Sequence, residues 1–449
     1  MIVMKFGGTS VESAEAIARV AGIVRSRLDR HPVVVVSAIG KTTNKLLEIG
    51  TGAVSGDLET ALAKLAALRD FHTVESSGLA VEPALESHFN QLTDLVKGLA
   101  VMGELTPRAT DALSAFGERL SSLIVAAHFR KAGIPSVHVD ARSLIVTDRR
   151  HTQAAPLFPE TNARLAKCIP EFAKSNVPVM GGFIGSTESG VTTTLGRGGS
   201  DYTASIVGAG IGAEEVQIWT DVDGMLTADP TILPDGYRVK VCSFAEAAEL
   251  AYFGAKVLHP STVLPAIEKN IPVRILNSRR PEVEGTLIVS QPPPSSSPIR
   301  SIACKRNITL VNIVSSRMLM AHGFLRRIFE VFDRFETPVD MLATSEVSVS
   351  LTVDNMRSLR AIRSELEAFA EVSVEESHAI VCLVGENIRN CPEVPARVFT
   401  ALDGIKTRMV SQGASQLNLS LVVAVADLTR AVESLHREFF RSPDSAAFA

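Results

Sequence analysis

The sequence lacks the features that mark secreted, membrane-spanning and nucleic-acid-binding proteins. Its 449 residues include only five cysteines, which lie far apart without a CxxC pair, so we expect neither a disulfide framework nor a structural zinc site. No apolar run approaches the ~20 residues that a membrane helix needs, and the N-terminus has no signal-peptide core. The 45 Lys+Arg nearly balance 49 Asp+Glu, whereas a nucleic-acid-binding protein needs a basic face. We therefore predict a cytoplasmic protein without nucleic-acid or membrane partners.

Several familiar catalytic arrangements are missing as well. The ten histidines show no metal-ligand spacing, and no Ser-His-Asp or Cys-His arrangement stands out, so no protein-bound metal is predicted. Gly40-Lys41-Thr42 resembles the end of a Walker A loop, but Val35 stands where that motif requires its first glycine. The chemistry must therefore come from other residues.

The N-terminal part carries the pattern of an α/β domain. Ile2–Phe6 reads as a short strand, and apolar residues from Ile17 to Leu28 recur at helical spacing. Val33–Val36 is a continuous valine run, which is typical of a strand buried on both faces of a parallel sheet. Strand, helix and strand in this order predict a mostly parallel sheet between helices.

The C-terminal part follows a different pattern. A Pro/Ser-rich linker at 291–298 separates it from a predicted catalytic domain at 1–290. Two successive β-α-β-β-α patterns follow, and they predict ferredoxin-like βαββαβ units at 299–377 and 378–449. Since such a unit has one bare sheet face, two in tandem are expected to pair.

Glycine-rich segments follow several predicted strands. Lys5–Ser10 joins a strand to a helix, and Gly181–Ser186 and Trp219–Gly224 repeat this arrangement. Thr192–Asp201 combines a hydroxyl run with Arg197 between glycines and an Asp at a helix start. Glycines at strand ends let backbone amides approach an anion, and open α/β sheets bind ligands at that edge.

The charged residues around these loops fit phosphoryl transfer. Lys5, Arg197 and Lys256 supply positive charge, and Asp201 and Glu118 supply carboxylates. Catalysis of phosphoryl transfer consists mainly of positioning and charge neutralisation, which this set can provide.

These motifs resemble those of the aspartate kinases, in their monofunctional, lysine-sensitive form, within the amino-acid kinase family. The matching segments are Lys5–Val11, Gly182–Ser186, Thr192–Tyr202, Ile218–Val222, Phe244–Glu249, Phe253–Pro260, Gly323–Leu325 and Thr344–Val349. The resemblance implies a kinase domain followed by two ACT regulatory domains. Because the chain ends after the second repeat, no fused homoserine dehydrogenase is expected.

The implied reaction is ATP-dependent phosphorylation of the L-aspartate side chain to 4-phospho-L-aspartate. It is the first step towards lysine, threonine and methionine, with lysine as feedback inhibitor and Mg²⁺ bound mainly through the ATP phosphates. Since the attacking carboxylate is already ionised at neutral pH, no general base is needed.

The resemblance also implies roles for individual residues. Lys5 and the amides of Gly7 and Gly8 would hold the transferring phosphoryl group, with Asp201 orienting Lys5. Arg197 would bind the substrate α-carboxylate and Glu118 its ammonium group. Thr43 and Ser200 are implied as further substrate contacts. The implied nucleotide contacts are Thr220, Asp221, Lys256 and Val257.

An effector site is implied in the first ACT unit. Its residues are Met318, Gly323, Leu325, Val339, Asp340, Thr344, Ser345 and Glu346. The sequence departs from lysine-sensitive relatives at Met320, Ala321 and Pro338, and from the adenosine contacts of relatives at Leu226 and Thr231. A homodimer or higher homo-oligomer through the ACT domains is expected.

Two other functions compete with this interpretation. One is a kinase of the same fold acting on glutamate or N-acetylglutamate, against which the tandem ACT repeats and the Glu118/Arg197 pair argue. The other is an amino-acid sensor without catalysis, against which the intact Lys5, Arg197 and Asp201 argue.

Overall fold

A computed structural model describes residues 1–254, 260–315, 322–413 and 415–449. The described strands are β1 (Ile2–Phe6), β2 (Pro32–Val36), β3 (Ser136–Val139), β4 (Val146–Thr147), β5 (Val177–Gly181), β6 (Ile184–Thr187), β7 (Thr192–Thr194), β8 (Glu215–Thr220), β9 (Val241–Ser243), β10 (Val273–Asn277), β11 (Thr286–Val289), β12 (Ser301–Val314), β13 (Leu342–Thr344), β14 (Ser348–Val353), β15 (Glu371–Val384), β16 (Thr407–Gln412) and β17 (Asn418–Ala424).

The helices in the same ranges pack on these strands. They are α1 (Ala14–Arg25), α2 (Thr42–Val54), α3 (Leu58–Glu75), α4 (Glu82–Met102), α5 (Pro107–Ser114), α6 (Phe116–Lys131), α7 (Phe158–Ala173), α8 (Gly199–Ile211), α9 (Phe244–Tyr252), α10 (Leu264–Glu268), α11 (Phe324–Arg334), α12 (Leu359–Glu367), α13 (Glu393–Ala401) and α14 (Leu428–Phe439).

The chain divides into two compact units. The first comprises Met1–Met225 and Val257–Pro292, and the second comprises Leu226–Lys256 and Pro293–Ala449. This division differs from the predicted catalytic domain at 1–290, because residues 226–254 pack with the C-terminal part. The residues that join this segment to its unit include Arg300, whose guanidinium lies 3.4 Å from the carboxylate of Glu246.

The first unit is built on the predicted parallel sheet. Its strands lie in the order β3-β5-β2-β1-β8-β10-β11, all parallel except for the β10–β11 pair. All five residues of β2 are buried, as the valine run predicted for a central strand. A small second sheet has the order β4-β6-β7. The predicted α/β fold class is confirmed.

The second unit contains one six-stranded antiparallel sheet rather than two separate ones. Its order is β13-β14-β12-β15-β17-β16, and β12 and β15 are continuous strands of 14 residues each. Residues 308–314 of β12 pair within the first repeat, whereas 301–305 pair with 380–384 in the second.

This pairing modifies the predicted domain boundaries. Both βαββα patterns form, but the fourth strand of the second repeat is Ser301–Lys305, which precedes the first repeat in sequence. The predicted boundary at 377/378 falls inside β15. The physical reason is that a ferredoxin-like sheet needs a strand beside its first one, and the extended β12 supplies it.

Candidate active site

The predicted ligand loops meet at one edge of the main sheet. Strands β1, β2, β5 and β8 run parallel as neighbours, so their carboxyl ends lie side by side. The loop after each strand therefore opens onto the same space, as in other open α/β sheets.

A cavity of about 390 Å³ lies at this edge. The residues that line it are Lys5, Gly8, Ser37, Ala38, Gly40, Lys41, Thr43, Asn44, Glu118, Phe183, Gly196, Gly198, Gly199, Ser200 and Asp201. Lys5, Gly8, Thr43, Glu118, Ser200 and Asp201 were predicted as site residues, and the structure brings them together. Ser37, Lys41, Asn44 and Phe183 were missed: Lys41 and Phe183 lie in motifs that the sequence analysis singled out, but their residue types gave no reason to assign them a role.

Lys5 and Asp201 form a close ion pair in the cavity wall. Lys5 Nζ lies 2.6 Å from Asp201 Oδ1, and the two side chains are 10% and 16% exposed. Lys5 comes from β1 and Asp201 from the first turn of α8, so the main-chain positions of both are fixed by regular structure. The pair holds the lysine ammonium at the cavity without using all its hydrogen-bonding capacity, since an ammonium has three N–H donors.

The two predicted amide contacts, those of Gly7 and Gly8, differ in the structure. The Gly7 N–H donates to the Trp219 carbonyl of β8 at 3.0 Å, just beyond the end of β1. That amide is therefore occupied within the protein, whereas Gly8 lines the cavity.

Glu118 is a buried carboxylate whose two oxygens differ in their hydrogen bonding. It lies in the first turn of α6 and is 4% exposed. Its Oε1 accepts from the Ala38 N–H at 3.2 Å, while its Oε2 has no hydrogen-bond partner among the described residues. Burial raises the pKa of Glu118 to about 8. A buried carboxylate without a counter-ion is a natural receptor for a ligand cation.

Two glycines at the end of β5 allow these side chains to approach. A methyl group on Gly181 would lie 2.9 Å from the Glu118 Cβ, and one on Gly182 would lie 2.7 Å from the Ser200 Cα. The Gly181-Gly182 pair therefore serves close packing of α6 and α8 against the strand end, in addition to any contact with a ligand.

Arg197 occupies an exposed loop that is built from glycines. Gly196 and Gly198 on either side of it have φ values of 79° and 69°, in the left-handed region where a glycine is favoured. Gly196 and Gly198 line the cavity, whereas Arg197 is exposed and not in its wall. The structure thus brings the loop to the site without bringing in the guanidinium.

Asp111 anchors this loop and was missed by the sequence reasoning. Its side chain is fully buried, and Oδ1 accepts from Thr194 Oγ1 at 2.6 Å and from the Thr152 N–H at 3.0 Å. His151 Nδ1 lies 2.7 Å from Oδ2. Thr152 holds an unusual φ of 70°, and its carbonyl lies 3.2 Å from where a Cβ on Gly196 would be. An Asp in the middle of a helix gives no sequence signal for such a role.

The predicted nucleotide residues follow β8. Thr220 is half-buried, and its Oγ1 donates to Asp221 Oδ1 at 3.2 Å, while Asp221 is exposed. Asp223 is held by Asn277 Nδ2 at 2.6 Å and by Arg280 at 2.5 Å. The predicted contacts Lys256 and Val257 lie outside the described residues.

The predicted effector residues are spread along the first repeat. Gly323 precedes α11, where Leu325 is partly exposed. Thr344 ends β13, and it is exposed together with Ser345 and Glu346, which follow. Val339 is half-buried, and the Asp340 side chain is 3% exposed. Met318, Met320 and Ala321 lie outside the described residues.

The fold and the cavity together define a class of protein. A glycine-lined cavity with a lysine lies at the carboxyl edge of the parallel sheet, beside the buried carboxylate of Glu118. Such a site is suited to phosphoryl transfer to a small acid that carries an ammonium group. The ferredoxin-like repeats that follow are typical of regulatory units. Among the described helices, none combines the length and apolar composition needed to cross a membrane.

Comparison with known proteins agrees with this class. The amino acid kinase family matches residues 1–277, and an ACT domain matches residues 381–439. Aspartokinase 2, chloroplastic, from Arabidopsis thaliana is 40% identical, with the match covering 98% of this chain and 84% of that protein. Lysine-sensitive aspartokinase 3 of Escherichia coli is 36% identical, and the coverage is 98% and 99%.

Solved structures give the same result. Escherichia coli aspartokinase III in complex with lysine and aspartate (T-state) superposes with a TM-score of 0.85 at 36% identity, covering 98% of this chain and 99% of that one. The same enzyme with aspartate and ADP (R-state) gives 0.83 at 35% identity, covering 98% and 100%. The chain belongs to the aspartokinases of the amino acid kinase family. Its activity is that of an aspartate kinase, as the sequence predicted.

Proposed function

We propose that the cavity binds L-aspartate beside the terminal phosphate of ATP, and that the Lys5–Asp201 pair is its catalytic centre. The observation that carries this proposal is the lysine ammonium held 2.6 Å from Asp201 at the end of β1, in the wall of the cavity. Transfer brings a carboxylate towards a phosphoryl group that is also negative. Lys5 and the Gly8 amide neutralise the charge between them, which is where an electrostatic contribution is largest.

The buried carboxylate of Glu118 accounts for recognition of the amino acid. Its unpaired Oε2 would accept the substrate ammonium group, and this contact would favour the ionised form of Glu118. Thr43 and Ser200 line the same cavity and would supply hydrogen bonds. Arg197 would turn in from its exposed loop to bind the α-carboxylate, for which a planar guanidinium is well suited.

Magnesium would accompany ATP in this site. We propose that Mg²⁺ binds through the ATP phosphates, since it keeps most of its other ligands as water. Thr220 and Asp221, together with Lys256, Val257 and Gly7, are retained as the proposed nucleotide contacts.

Regulation by lysine is proposed through the predicted effector residues of the first repeat. Related Escherichia coli aspartokinase III has been solved with lysine in a T-state and with aspartate and ADP in an R-state. Inhibition here would be a shift between two such conformations. We also propose a homodimer or higher homo-oligomer through the ACT domains, because a ferredoxin-like unit leaves one sheet face bare.

We further propose that the catalytic function resides in 1–290 and the regulatory function in 299–377 and 378–449, joined by 291–298. A cytoplasmic location is proposed because all five cysteines are free thiols, which suits a reducing compartment. Reversible thiol labelling of the protein in intact cells would test this location.

The decisive experiment is ADP release with Mg-ATP and L-aspartate, measured for the wild type and Lys5→Ala. We expect Lys5→Ala to lose roughly 3 kcal/mol of transition-state stabilisation, or more than a hundredfold in kcat, as for loss of an oxyanion donor. Lys64→Ala, which removes an exposed lysine on α3, is the control and should leave kcat unchanged. Near-normal turnover of Lys5→Ala would refute the assignment of Lys5. Adding lysine or threonine to the same assay tests the proposed effector.

A further inference from the structure

A compact charge cluster lies in the second unit around Lys305. Lys305 Nζ is 2.6 Å from Asp340 Oδ1 and 2.8 Å from Asp354 Oδ2. The Tyr252 hydroxyl donates to the same Asp340 oxygen at 3.3 Å, and the Lys305 ammonium lies 5.5 Å from the Tyr252 ring centre. One ammonium group is thus shared by two carboxylates and an aromatic ring.

Burial makes the contact between Lys305 and Asp340 strong. The Asp340 side chain is 3% exposed and that of Lys305 is 21% exposed. Burial by itself would lower the pKa of Lys305, but the hydrogen bonds with Asp340 and Asp354 prevail and raise it, so this side chain is a cation at neutral pH. Asp340 Oδ2 has no hydrogen-bond partner among the described residues, so this carboxylate has unused capacity to accept hydrogen bonds.

The backbone at Lys305 is held by strand pairing and by a closely packed neighbouring segment. Lys305 lies in the interior of β12, next to the register shift between β12 and β15. A Cβ on Gly254, just beyond α9, would lie 2.1 Å from the Cys304 carbonyl, so that the chain after Tyr252 is packed directly on β12. The ammonium is therefore presented to Asp340 by neighbouring, closely packed segments.

We propose that Lys305 is a tethered competitor of the effector: its ammonium occupies the carboxylate of Asp340 that an ammonium group of free lysine would need. This inference rests on the proposed effector site, to which Asp340 belongs. Effector binding must then displace or share the contact with Lys305, so the sensitivity of the enzyme to lysine is set by an intramolecular ion pair. Removing the tethered cation leaves Asp340 and Asp354 facing each other without a counter-ion, and such a site favours an incoming cation.

The test is calorimetric titration of the full-length protein with L-lysine, together with the lysine concentration that halves kinase activity. The variants are Lys305→Met and, as the matched control, Arg306→Met, which removes the same charge from the next residue, an exposed one. We expect Lys305→Met to bind lysine on the order of tenfold more tightly and to be inhibited at correspondingly lower lysine. Arg306→Met should match the wild type, and turnover without lysine should be unchanged in both variants.

Two further measurements guard against a trivial effect on folding. Lys305→Gln keeps a hydrogen-bond donor without the charge, and it serves if Lys305→Met folds poorly. Saturating lysine should also raise the unfolding temperature of the Lys305 variants by more than it raises that of the wild type, and Asp340→Asn should abolish this difference.

The outcomes separate this inference from the effector site on which it rests. If the wild type binds lysine and Lys305→Met binds it equally or more weakly, Lys305 has only a structural role and the inference is wrong, while the effector site stands. If only the Lys305 variants bind lysine, the inference holds, with the tethered ammonium blocking the wild-type site. If none of the proteins binds lysine while all retain kinase activity, the effector site and the inference both fail.

Discussion

At the scale of single residues, Glu118 shows how burial prepares a side chain for a ligand. The sequence offers only a carboxylate on a helix, which is ordinarily a solvated surface group. In the structure it is 4% exposed, and burial raises its pKa to about 8. Its role towards the substrate ammonium group could be predicted only from the family resemblance, because no local pattern shows that this helix is largely buried.

This burial predicts a pH-dependent cost to stability. Between the ordinary pKa of 4.5 and the folded-state pKa of about 8, the folded protein keeps a proton that the unfolded chain has released. Stability without substrate therefore falls as pH rises through that window. The side chain of Glu118→Gln does not titrate, so the unfolding temperature of this variant should rise relative to that of the wild type between pH 5 and pH 8.5.

The same variant should lose recognition of aspartate. Without the carboxylate, the substrate ammonium has no counter-ion, and we expect kcat/KM for aspartate to fall by roughly a hundredfold, as when one partner of a buried ion pair is removed. Glu104→Gln, a change at an exposed carboxylate, is the control for both measurements. An unfolding temperature difference that does not vary with pH would contradict the buried-carboxylate assignment.

Asp111 is a positioning residue at the same scale. It is not among the residues that line the cavity, but it fixes Thr152 and Thr194, which hold the loop that carries Arg197. Asp111→Asn replaces one acceptor oxygen by a donor that faces other donors. We expect KM for aspartate to rise by about tenfold, the equivalent of one lost hydrogen bond, with a smaller change in kcat.

The control for Asp111→Asn is the same substitution at the exposed Asp70 of α3. Steady-state kinetics with varied aspartate at saturating ATP separates KM from kcat. If Asp111→Asn lowers only the folded fraction, kcat and KM of the remaining enzyme will be those of the wild type, and the positioning role will be disproved.

At the scale of elements, the sequence predicts where the strands end but not how the helices pack against those ends. The sequence indicated β1, β2, β5 and β8 within a few residues, because apolar β-branched runs followed by glycines are a strong local signal. The sequence did not show that helices α6 and α8 pack directly against Gly181 and Gly182, respectively. That requirement arises from packing between segments far apart in the chain.

Gly182→Ala tests this packing. The added methyl would lie 2.7 Å from the Ser200 Cα, so the start of α8 must shift, and overpacking of this kind costs about 1–3 kcal/mol. Since Asp201 is the next residue of α8, the Lys5–Asp201 contact should be disturbed, and kcat should fall together with the free energy of unfolding.

A matched glycine provides the control. Gly22 lies within α1, and a Cβ there would meet no atom within 4 Å. Gly22→Ala should raise stability by up to about 1 kcal/mol through helix propensity and leave kcat unchanged. Chemical denaturation and ADP-release assays on both variants give the comparison. Equal behaviour of the two would show that the close approach at Gly182 is unimportant.

At the scale of the whole molecule, the second unit is held together by segments that are remote in sequence. Arg300 and Glu246 are both at most 2% exposed, and their charged groups lie 3.4 Å apart. Glu246 Oε2 also accepts from the Ser243 N–H at the start of α9. The pair fixes the start of α9 beside the strand that begins at Ser301.

Arg300→Met should therefore destabilise the second unit strongly. It leaves the Glu246 carboxylate buried without its cation, and breaking a buried pair from one side costs about 3–5 kcal/mol. The double variant Arg300→Met/Glu246→Gln should recover part of this loss, since no uncompensated charge remains. Denaturant unfolding of these two variants and of Glu246→Gln checks the prediction, and a double-variant loss equal to the sum of the two single losses would exclude a direct interaction.

The sequence by itself determined the local elements and the family. Strand and helix signals depend on nearby residues, and the loop motifs are continuous stretches, so the parallel α/β domain, the two βαββα patterns and Lys5, Asp201, Glu118 and Ser200 could all be named in advance. The resemblance to aspartate kinases added the reaction.

Only the tertiary structure decided which segments that are remote in sequence pair and pack with one another. It placed Ser301–Lys305 as the fourth strand of the second repeat, packed 226–254 into the second unit, buried Asp111 under the Arg197 loop and paired Lys305 with Asp340. The physical reason is that strand pairing, burial and ion pairing depend on distances in space. Those distances are set by the packing of the entire chain, and no local pattern of residues specifies them.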